Sequence, residues 1–375
     1  MSIALIAGVV IFAYPFVIYP AILLVLARGR RPEPIEPVTD PPSVALVICA
    51  LNEQKIIRQK VENSLALRYP QQNLRLVFIS DGSTDETADI IREYETAGVQ
   101  LIEQRVRRGK IANLNEILAV RQEDILVLSD ANVIYDSDAI LHLVARFRDP
   151  SVGCVSGKVI LTDTTPALGT PTESYYSLEW FLQERSSAIY SMVGTDGAMY
   201  ALRRELFRPC PNDTLIEDFV IAMEIIRLGY RVVFEPRALG WEQGPASLRE
   251  EFRRKVRIAA GSVQALLRGN AWPRHCPWRY WFIFISHKLL RWLSPVTGAV
   301  VLLLAVLTAR QAASQLVLGG FLAAIGLALL RWITRWNSPV LSAPFYFVFG
   351  QVALAVGLIK GIAGQQTVLW AKTDR

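Results

Sequence analysis

No charged side chain occurs between Ile3 and Ala27, and that run limits the chain's choices more than any other. As a helix it would reach roughly 37 Å, at about 1.5 Å per residue, enough to cross a bilayer with some tilt. Arg28, Arg30 and Arg31 follow at once. A secretory signal places positive charge before its apolar core and ends in small residues. Here the charge comes after, so residues 1–31 read as a retained anchor. The positive-inside tendency sets the N-terminus outside and the following chain in the cytosol. Pro15 and Pro20 are expected to kink the helix. Residues 32–42 are proline-rich and read as a stiff linker.

Composition agrees with membrane segments plus one sizeable domain. With 52% hydrophobic residues and a mean hydropathy of +0.28, the chain is too apolar for an ordinary soluble protein. The net charge of +6 has its simplest source in basic residues on the cytosolic flanks of spans, so no nucleic-acid partner is implied. The cysteines, Cys49, Cys154, Cys210 and Cys276, form no CxxC pair, and His142, His275 and His287 have no zinc spacing. Free thiols in a reducing cytosol follow.

Val44–Cys49, Leu74–Ile79 and Val99–Glu103 read as strands, with helical patterns over Lys55–Leu67 and Glu86–Thr96 between them. That alternation is a βαβ signal. No GxGxxG follows the first strand, which argues against a dinucleotide site. Ile125–Leu128 is a short β-favouring run of the kind buried on both faces of a parallel sheet. It ends at Ser129-Asp130-Ala131-Asn132, so a carboxylate and an amide stand two residues apart where the strand runs out. Ligands of open α/β sheets bind at such ends, and hard oxygen donors suit Mg2+ or Mn2+ carrying a diphosphate. Asp and Asn also simply make turns, and the run alone leaves both readings open.

Four segments in order, Asn52-Glu53, Asp81-Gly82-Ser83-Thr84-Asp85, Gly109-Lys110 through Asn115, and Asp130-Ala131-Asn132, resemble the nucleotide-sugar half of the family 2 inverting glycosyltransferases. Each alone is a turn or a helix cap; together, at strand ends and helix starts, they are specific. The resemblance implies an α/β fold of GT-A type, a Rossmann-like nucleotide-sugar domain, with transmembrane helices before and after it. It implies a UDP-sugar donor, with Glu53 and Asp81 toward the uridine and ribose, Asn52 beside them, and Lys110 near the nucleotide. Asp130 and Asn132 match the family's metal-binding Asp-x-Asp, with Asp130 also at the donor. Asn is a neutral and weaker ligand, so metal affinity would rest mainly on Asp130 and the diphosphate. A carboxylate suits a uracil N–H or ribose hydroxyl, and an ammonium suits a phosphate.

In the second half, Val152–Leu161 reads as a strand in which Gly157 permits close backbone approach. Thr172–Ile189 reads as a surface helix with a packed aromatic face and with Glu173, Glu179 and Glu184 outward. Thr195 to Ala201 leads into a strand and resembles the family's small-residue segment on the acceptor side. Apolar residues at Ile221, Ile225 and Leu228, ended by Gly229, mark a helix whose first turn holds Glu217 and Asp218. Acids there compensate the helix dipole. The resemblance adds that they match the family's Glu-Asp pair, which implies Asp218 as general base with Glu217 beside it. Arg231–Glu235 is a further strand. Arg249–Leu267 is a basic amphipathic helix, a composition that also lies on anionic lipid. It aligns with the Gln-x-x-Arg-Trp element of processive members, with Arg254 at the Gln and Arg257 at the Arg. Ile258 stands where that pattern has the Trp that helps hold the polymer's end, which bears on processivity rather than on transfer.

Trp272–Trp292 mixes aromatic and basic residues with apolar ones, an interfacial composition. Leu293–Thr308 and Leu316–Trp332 read as two spans. Ala343–Ile359 is long enough to be a third. The tail, with Trp370 and Lys372, resembles the gating loops that cover the nucleotide in cellulose and hyaluronan synthases. Such a tail is cytosolic, and parity then requires Ala343–Ile359 to lie in the interface or re-enter. The organisation expected is an anchor (1–31), a linker (32–42), a cytosolic glycosyltransferase domain (43–271), an interfacial helix (272–292) and a C-terminal membrane region with tail (293–375). The function expected is a multi-pass plasma-membrane enzyme using a UDP-sugar and Mg2+ or Mn2+. Its acceptor would be a growing polysaccharide or a lipid-linked molecule, handed on to export or assembly partners. Single-sugar transfer to a lipid, a non-catalytic nucleotide-sugar sensor or scaffold, and a polybasic membrane adaptor are the alternatives.

Overall fold

The structure, a computed structural model, describes residues 3–29, 40–162, 171–245, 247–336 and 338–368. The first helix, α1 (Ile3–Leu26), is continuous and apolar. It winds as a π-helix over Tyr14–Ile18, around Pro15, which supplies no N–H to the ladder.

The chain then alternates strand and helix: β1 (Val44–Ala50), α2 (Ile57–Leu65), β2 (Leu74–Asp81), α3 (Thr87–Arg92), β3 (Val99–Gln104), α4 (Lys110–Val120), β4 (Ile125–Asp130), β5 (Val133–Tyr135), α5 (Ala139–Ala145), β6 (Val152–Thr162), α6 (Pro171–Ile189), β7 (Met199–Arg203), α7 (Glu217–Arg227), β8 (Arg231–Gln243) and α8 (Leu248–Leu267). The strands form one sheet in the order β3-β2-β1-β4-β7-β6-β8-β5. β3, β2, β1 and β4 are parallel. β7 then enters antiparallel between β4 and β6. β1 and β4 are buried almost throughout, because apolar clusters cover both faces of a parallel sheet. β5 has no counterpart in the sequence reading, since three residues give no measurable alternation. β8 runs past the expected end at Glu235 and through Pro236, held by β6 across a register shift.

Four helices follow: α9 (Trp278–Trp292), α10 (Ser294–Leu307), α11 (Ala312–Thr334) and α12 (Pro339–Ile362). Among the described residues, α1, α11 and α12 are long and apolar enough to cross a membrane, and α9 with α10 forms a pair bent by 65°. Leu322 and Ile333 of α11 and Val340 and Ile362 of α12 are all more than two-thirds exposed, a surface that suits lipid rather than water. Leu293–Thr308 does not make the independent span expected of it. α10 has 14 residues, roughly 21 Å at 1.5 Å per residue, short of a hydrocarbon core of about 30 Å.

The expected outward face of α6 also fails, at Glu179. Its carboxylate is met by three residues of α9: His287 Nε2 at 3.0 Å, Lys288 Nζ at 3.2 Å and Arg291 at 2.7 Å. Burial opposes its charge, yet Lys288 and Arg291 outweigh that and hold it well below the usual carboxylate range. This cluster latches the sheet domain to the helix that leads into the membrane region.

α12 lies alongside α8, in the same direction. Phe349 meets Phe252 edge-on at 5.6 Å between ring centroids, and Gly357 and Gly361 close onto Val256, Ala259, Ala260 and Val263. A Cβ on Gly357 would come within 2.4 Å of the Ala259 Cβ and 2.7 Å of the Val256 carbonyl. Gly357→Ala should therefore destabilise the protein by about 1–3 kcal/mol, read as a lower melting temperature in detergent. Gly350→Ala, on the same helix with nothing within 4 Å, should leave it unchanged or slightly higher, since Ala favours helix by up to about 1 kcal/mol.

Candidate active site

Because β1, β2 and β4 are parallel, the residues at their ends gather at one edge of the sheet. Asn52 and Glu53 follow β1, Asp81 closes β2 and Asp130 closes β4. Antiparallel β7 brings its preceding loop, Thr195 to Gly197, to the same edge, where the Asp130 amide donates to the Ala198 carbonyl at 3.3 Å.

Lys110, in the first turn of α4, reaches across this edge. Its ammonium lies 2.7 Å from Asp130 Oδ1 and 3.0 Å from Glu217 Oε1. Burial alone would favour the neutral amine, but the two carboxylates outweigh it and hold the proton well above lysine's usual range. Asp218, next on α7, lies against Gly197; a Cβ there would come within 2.9 Å of its Oδ2. Burial, and then the charge of Glu217, push the Asp218 carboxyl up to about 7. Thr195 Oγ1 donates to the Asp218 carbonyl at 3.1 Å, fastening loop to helix. Cys49 ends up in the same field, but burial pushes its thiol up to about 12, which leaves it no nucleophile at neutral pH.

Asp81 is 4% exposed. It accepts from the Arg108 amide at 2.7 Å, the Gly109 amide at 2.9 Å and Asn113 Nδ2 at 2.8 Å. Its carboxylate thus serves the loop that presents Lys110. Gly82 lets that loop approach, with φ +69° and Arg107 N only 2.6 Å from where a Cβ would sit. Asn52 takes a left-handed φ of 55° and accepts from the Thr84 amide at 2.7 Å. The Glu53 amide donates to Thr87 Oγ1 at 2.7 Å. The first two motifs are therefore laced together.

Asn132 donates Nδ2 to Glu242 at 2.9 Å, which turns its amide oxygen away from that carboxylate. Among the described residues, no group of three or more His, Cys, Asp or Glu side chains is arranged to hold a metal ion. The Asp130 carboxylate and the Asn132 amide oxygen are hard donors two residues apart. They fit a cation that takes its other ligands from a diphosphate and water, not one needing a cage made by protein alone.

On α8, Arg257 donates to the Leu215 carbonyl at 2.9 Å and so fixes the segment before Glu217. Arg254 pairs with Glu251 at 3.0 Å. Trp370 and Lys372 lie outside the described residues. Val368, just before them, packs on the apolar cluster of the sheet domain. The structure thus puts Lys110, Asp130 and Glu217 in contact and Asp218 beside them, with Asn52, Glu53 and Asp81 on the neighbouring strand ends and Asn132 turned toward Glu242.

Three residues of this edge are additional to those expected from the sequence. Asn113 shares Asp81 with the Lys110 loop. Asp196, within the electrostatic reach of Arg254 and Asp130, has its carboxyl raised chiefly by burial. Lys60 lies fully buried behind Asp130. Lys60 had a sequence signal: it falls on the stripe Ile57, Lys60, Val61, Ser64, where helical spacing predicts apolar residues.

Residues 41–261 match the family model described as "Glycosyltransferase like family 2". The poly-beta-1,6-N-acetyl-D-glucosamine synthase of Staphylococcus aureus (strain COL) is 28% identical over 232 residues, 60% of this chain and 56% of that protein. The probable glycosyltransferase YdaM of Bacillus subtilis (strain 168) is 26% identical over 238 residues, 60% of this chain and 57% of that one. The chain thus spans little more than half the length of these relatives. The solved mannosyltransferase PcManGT from Pyrobaculum calidifontis, in complex with GDP-Man and Mn2+, superposes with a TM-score of 0.76 at 23% identity. It covers 97% of this chain and 99% of its own, a likeness of fold. A mixed sheet of GT-A type, and a family model that matches more than half of this chain, make it a member of the family 2 glycosyltransferases.

Proposed function

We propose that the protein transfers a sugar, with inversion, from a UDP-sugar to a growing polysaccharide or lipid-linked acceptor. The observation that carries this is the Lys110 bridge between Asp130 and Glu217, with a carboxyl that titrates near neutrality next to it. A base poised near the working pH is what deprotonation of a sugar hydroxyl needs.

In this reading Asp218 accepts the proton of the acceptor hydroxyl. That oxygen bonds to the anomeric carbon from the face opposite the diphosphate, whose bond to the carbon breaks as UDP departs with the electron pair. Glu217 adds to burial in keeping the Asp218 carboxyl high and anchors Lys110, and the Lys110 ammonium is in place to meet a phosphate. Asn52 and Glu53 face the base and ribose, while Asp81 acts through the Arg108–Gly109 loop it holds. Asp130 and the Asn132 oxygen would hold Mg2+ or Mn2+, which neutralises charge developing on the leaving diphosphate. The solved mannosyltransferase of like fold holds GDP-Man with Mn2+, which supports a nucleoside-diphosphate sugar with a divalent ion as the class of donor.

The staphylococcal relative is named for a polymer, which supports polysaccharide as product. Single-sugar transfer to a lipid is the second reading, favoured by Ile258: it is 40% exposed on α8, where an aromatic platform would hold a polymer's end. We place the catalytic unit over residues 43–271 on the cytosolic side, the bent α9–α10 pair (as one span) and α11 across the bilayer, and α12 in the interface. Its packing along α8 and the return of Val368 to the domain core support that topology.

Asp218→Asn should lower kcat by about 10²- to 10⁴-fold and leave UDP binding with Mn2+, measured by calorimetry, unchanged. Equal turnover in the variant would refute the base assignment. Because kcat/KM reports ionisations of the free enzyme, it should climb with unit slope to about pH 7 and then level off. Glu217→Gln removes a negative neighbour, so this acid limb should move to lower pH; a limb that stays in place would clear Glu217 of that role. A C-terminal tag should be cut by protease in inside-out vesicles and spared in right-side-out ones, and the reverse pattern would make α12 a span.

A further inference from the structure

Lysine is almost never fully buried unless paired, yet Lys60 of α2 is 0% exposed. Its Nζ donates to Ser129 Oγ at 2.8 Å and to the Val133 carbonyl at 2.5 Å, and it stands 4.1 Å from the centre of the Tyr135 ring. Ser129 immediately precedes Asp130, and Val133 immediately follows Asn132. One ammonium therefore grips both ends of the Asp130–Asn132 turn from behind. One helical turn further along α2, Asn63 donates Nδ2 to the Tyr135 carbonyl at 2.9 Å and accepts from the Tyr135 amide at 2.9 Å. Together the two side chains tie Val133 and Tyr135 of β5, a strand of three residues paired with β8, to α2.

A core position would be filled more cheaply by an apolar side chain of the same length. Burial works against the ammonium and pushes its pKa down to about 7, and buried polar groups can often be exchanged for well-packed apolar ones without loss of stability. What lysine adds is direction: two hydrogen bonds aimed at the two flanks of one turn. We propose that Lys60 and Asn63 are positioning residues that fix the Asp130–Asn132 turn so that its two oxygens meet the metal–diphosphate of the donor. This rests on the metal-assisted donor binding proposed above.

The charge of Lys60 acts in the opposite sense to its geometry. A cation behind Asp130 repels a divalent ion in front of it, so if charge dominated, removing Lys60 would tighten metal binding. The two effects are separated by titrating UDP into the full-length protein in detergent, with and without Mn2+, and comparing wild type with Lys60→Met and Asn63→Ala. Wild type should gain UDP affinity from Mn2+. Lys60→Met should lose about 10- to 100-fold of that gain, the range found for residues that orient metal ligands, while metal-free UDP affinity stays the same. Asn63→Ala, at a partly buried position, should lose it in the same metal-dependent way and decides the matter should Lys60→Met fail to fold. A folded Lys60→Met protein that keeps the Mn2+ gain or binds Mn2+–UDP more tightly overturns the assignment. So does an equal loss of UDP affinity with and without Mn2+, the mark of general damage to the pocket. A wild type that gains nothing from Mn2+ overturns the metal reading itself, and the positioning role with it.

Discussion

Lys110 stands between two carboxylates that come from different parts of the chain. Asp130 ends β4, the parallel strand that borders antiparallel β7, and Glu217 opens a helix that follows the antiparallel insertion. Two carboxylates within one lysine's reach repel by roughly 3–4 kcal/mol at an effective dielectric near 20. The ammonium turns that repulsion into a clamp that joins the two halves of the sheet edge. The rest of the edge depends on the clamp being aimed correctly. Asp81, with Asn113, holds the loop that carries Lys110, and Arg257 holds the segment that carries Glu217. The arrangement also keeps Asp218 in an unusual state. Burial, and then the charge of Glu217 beside it, keep its carboxyl high, although Lys110 pulls the other way.

Much of this was legible because the physics is local. Apolar runs such as Val44–Cys49 and Ile125–Leu128 declare buried parallel strands, and acids or amides placed just beyond them must collect at one edge if the strands are parallel. The long apolar helices declare themselves by length with little charge. What could not be read was whatever depends on a distant partner. β5 exists because β8 pairs with it, not because Val-Ile-Tyr announces a strand. Glu179 looks like a surface acid until α9 brings three basic residues to it. Asp81 looks like a ligand-facing carboxylate, and its three protein donors lie some thirty residues further along the chain. A lysine inside an apolar stripe was the one long-range feature that did leave a local mark, as a break in the helical pattern at Lys60.

The boundary between sheet domain and membrane region is also less sharp than residue numbers suggest. Glu179 and α9 fasten one side of it. On another side, two glycines of α12 draw it so close to α8 that the backbones nearly touch. α8 is the helix that carries Arg254 and Arg257, so its position is set from both faces, by the loop before Glu217 and by an apolar helix.

That close seam determines what can be cut from this molecule. A shortened chain ending after α8 would bare the ridge of Val256, Ala259, Ala260 and Val263 that α12 now covers. It would lose the support of α12 along that ridge and gain a sticky flank. The sugar-handling part thus shares one of its walls with a helix long and apolar enough to cross a membrane.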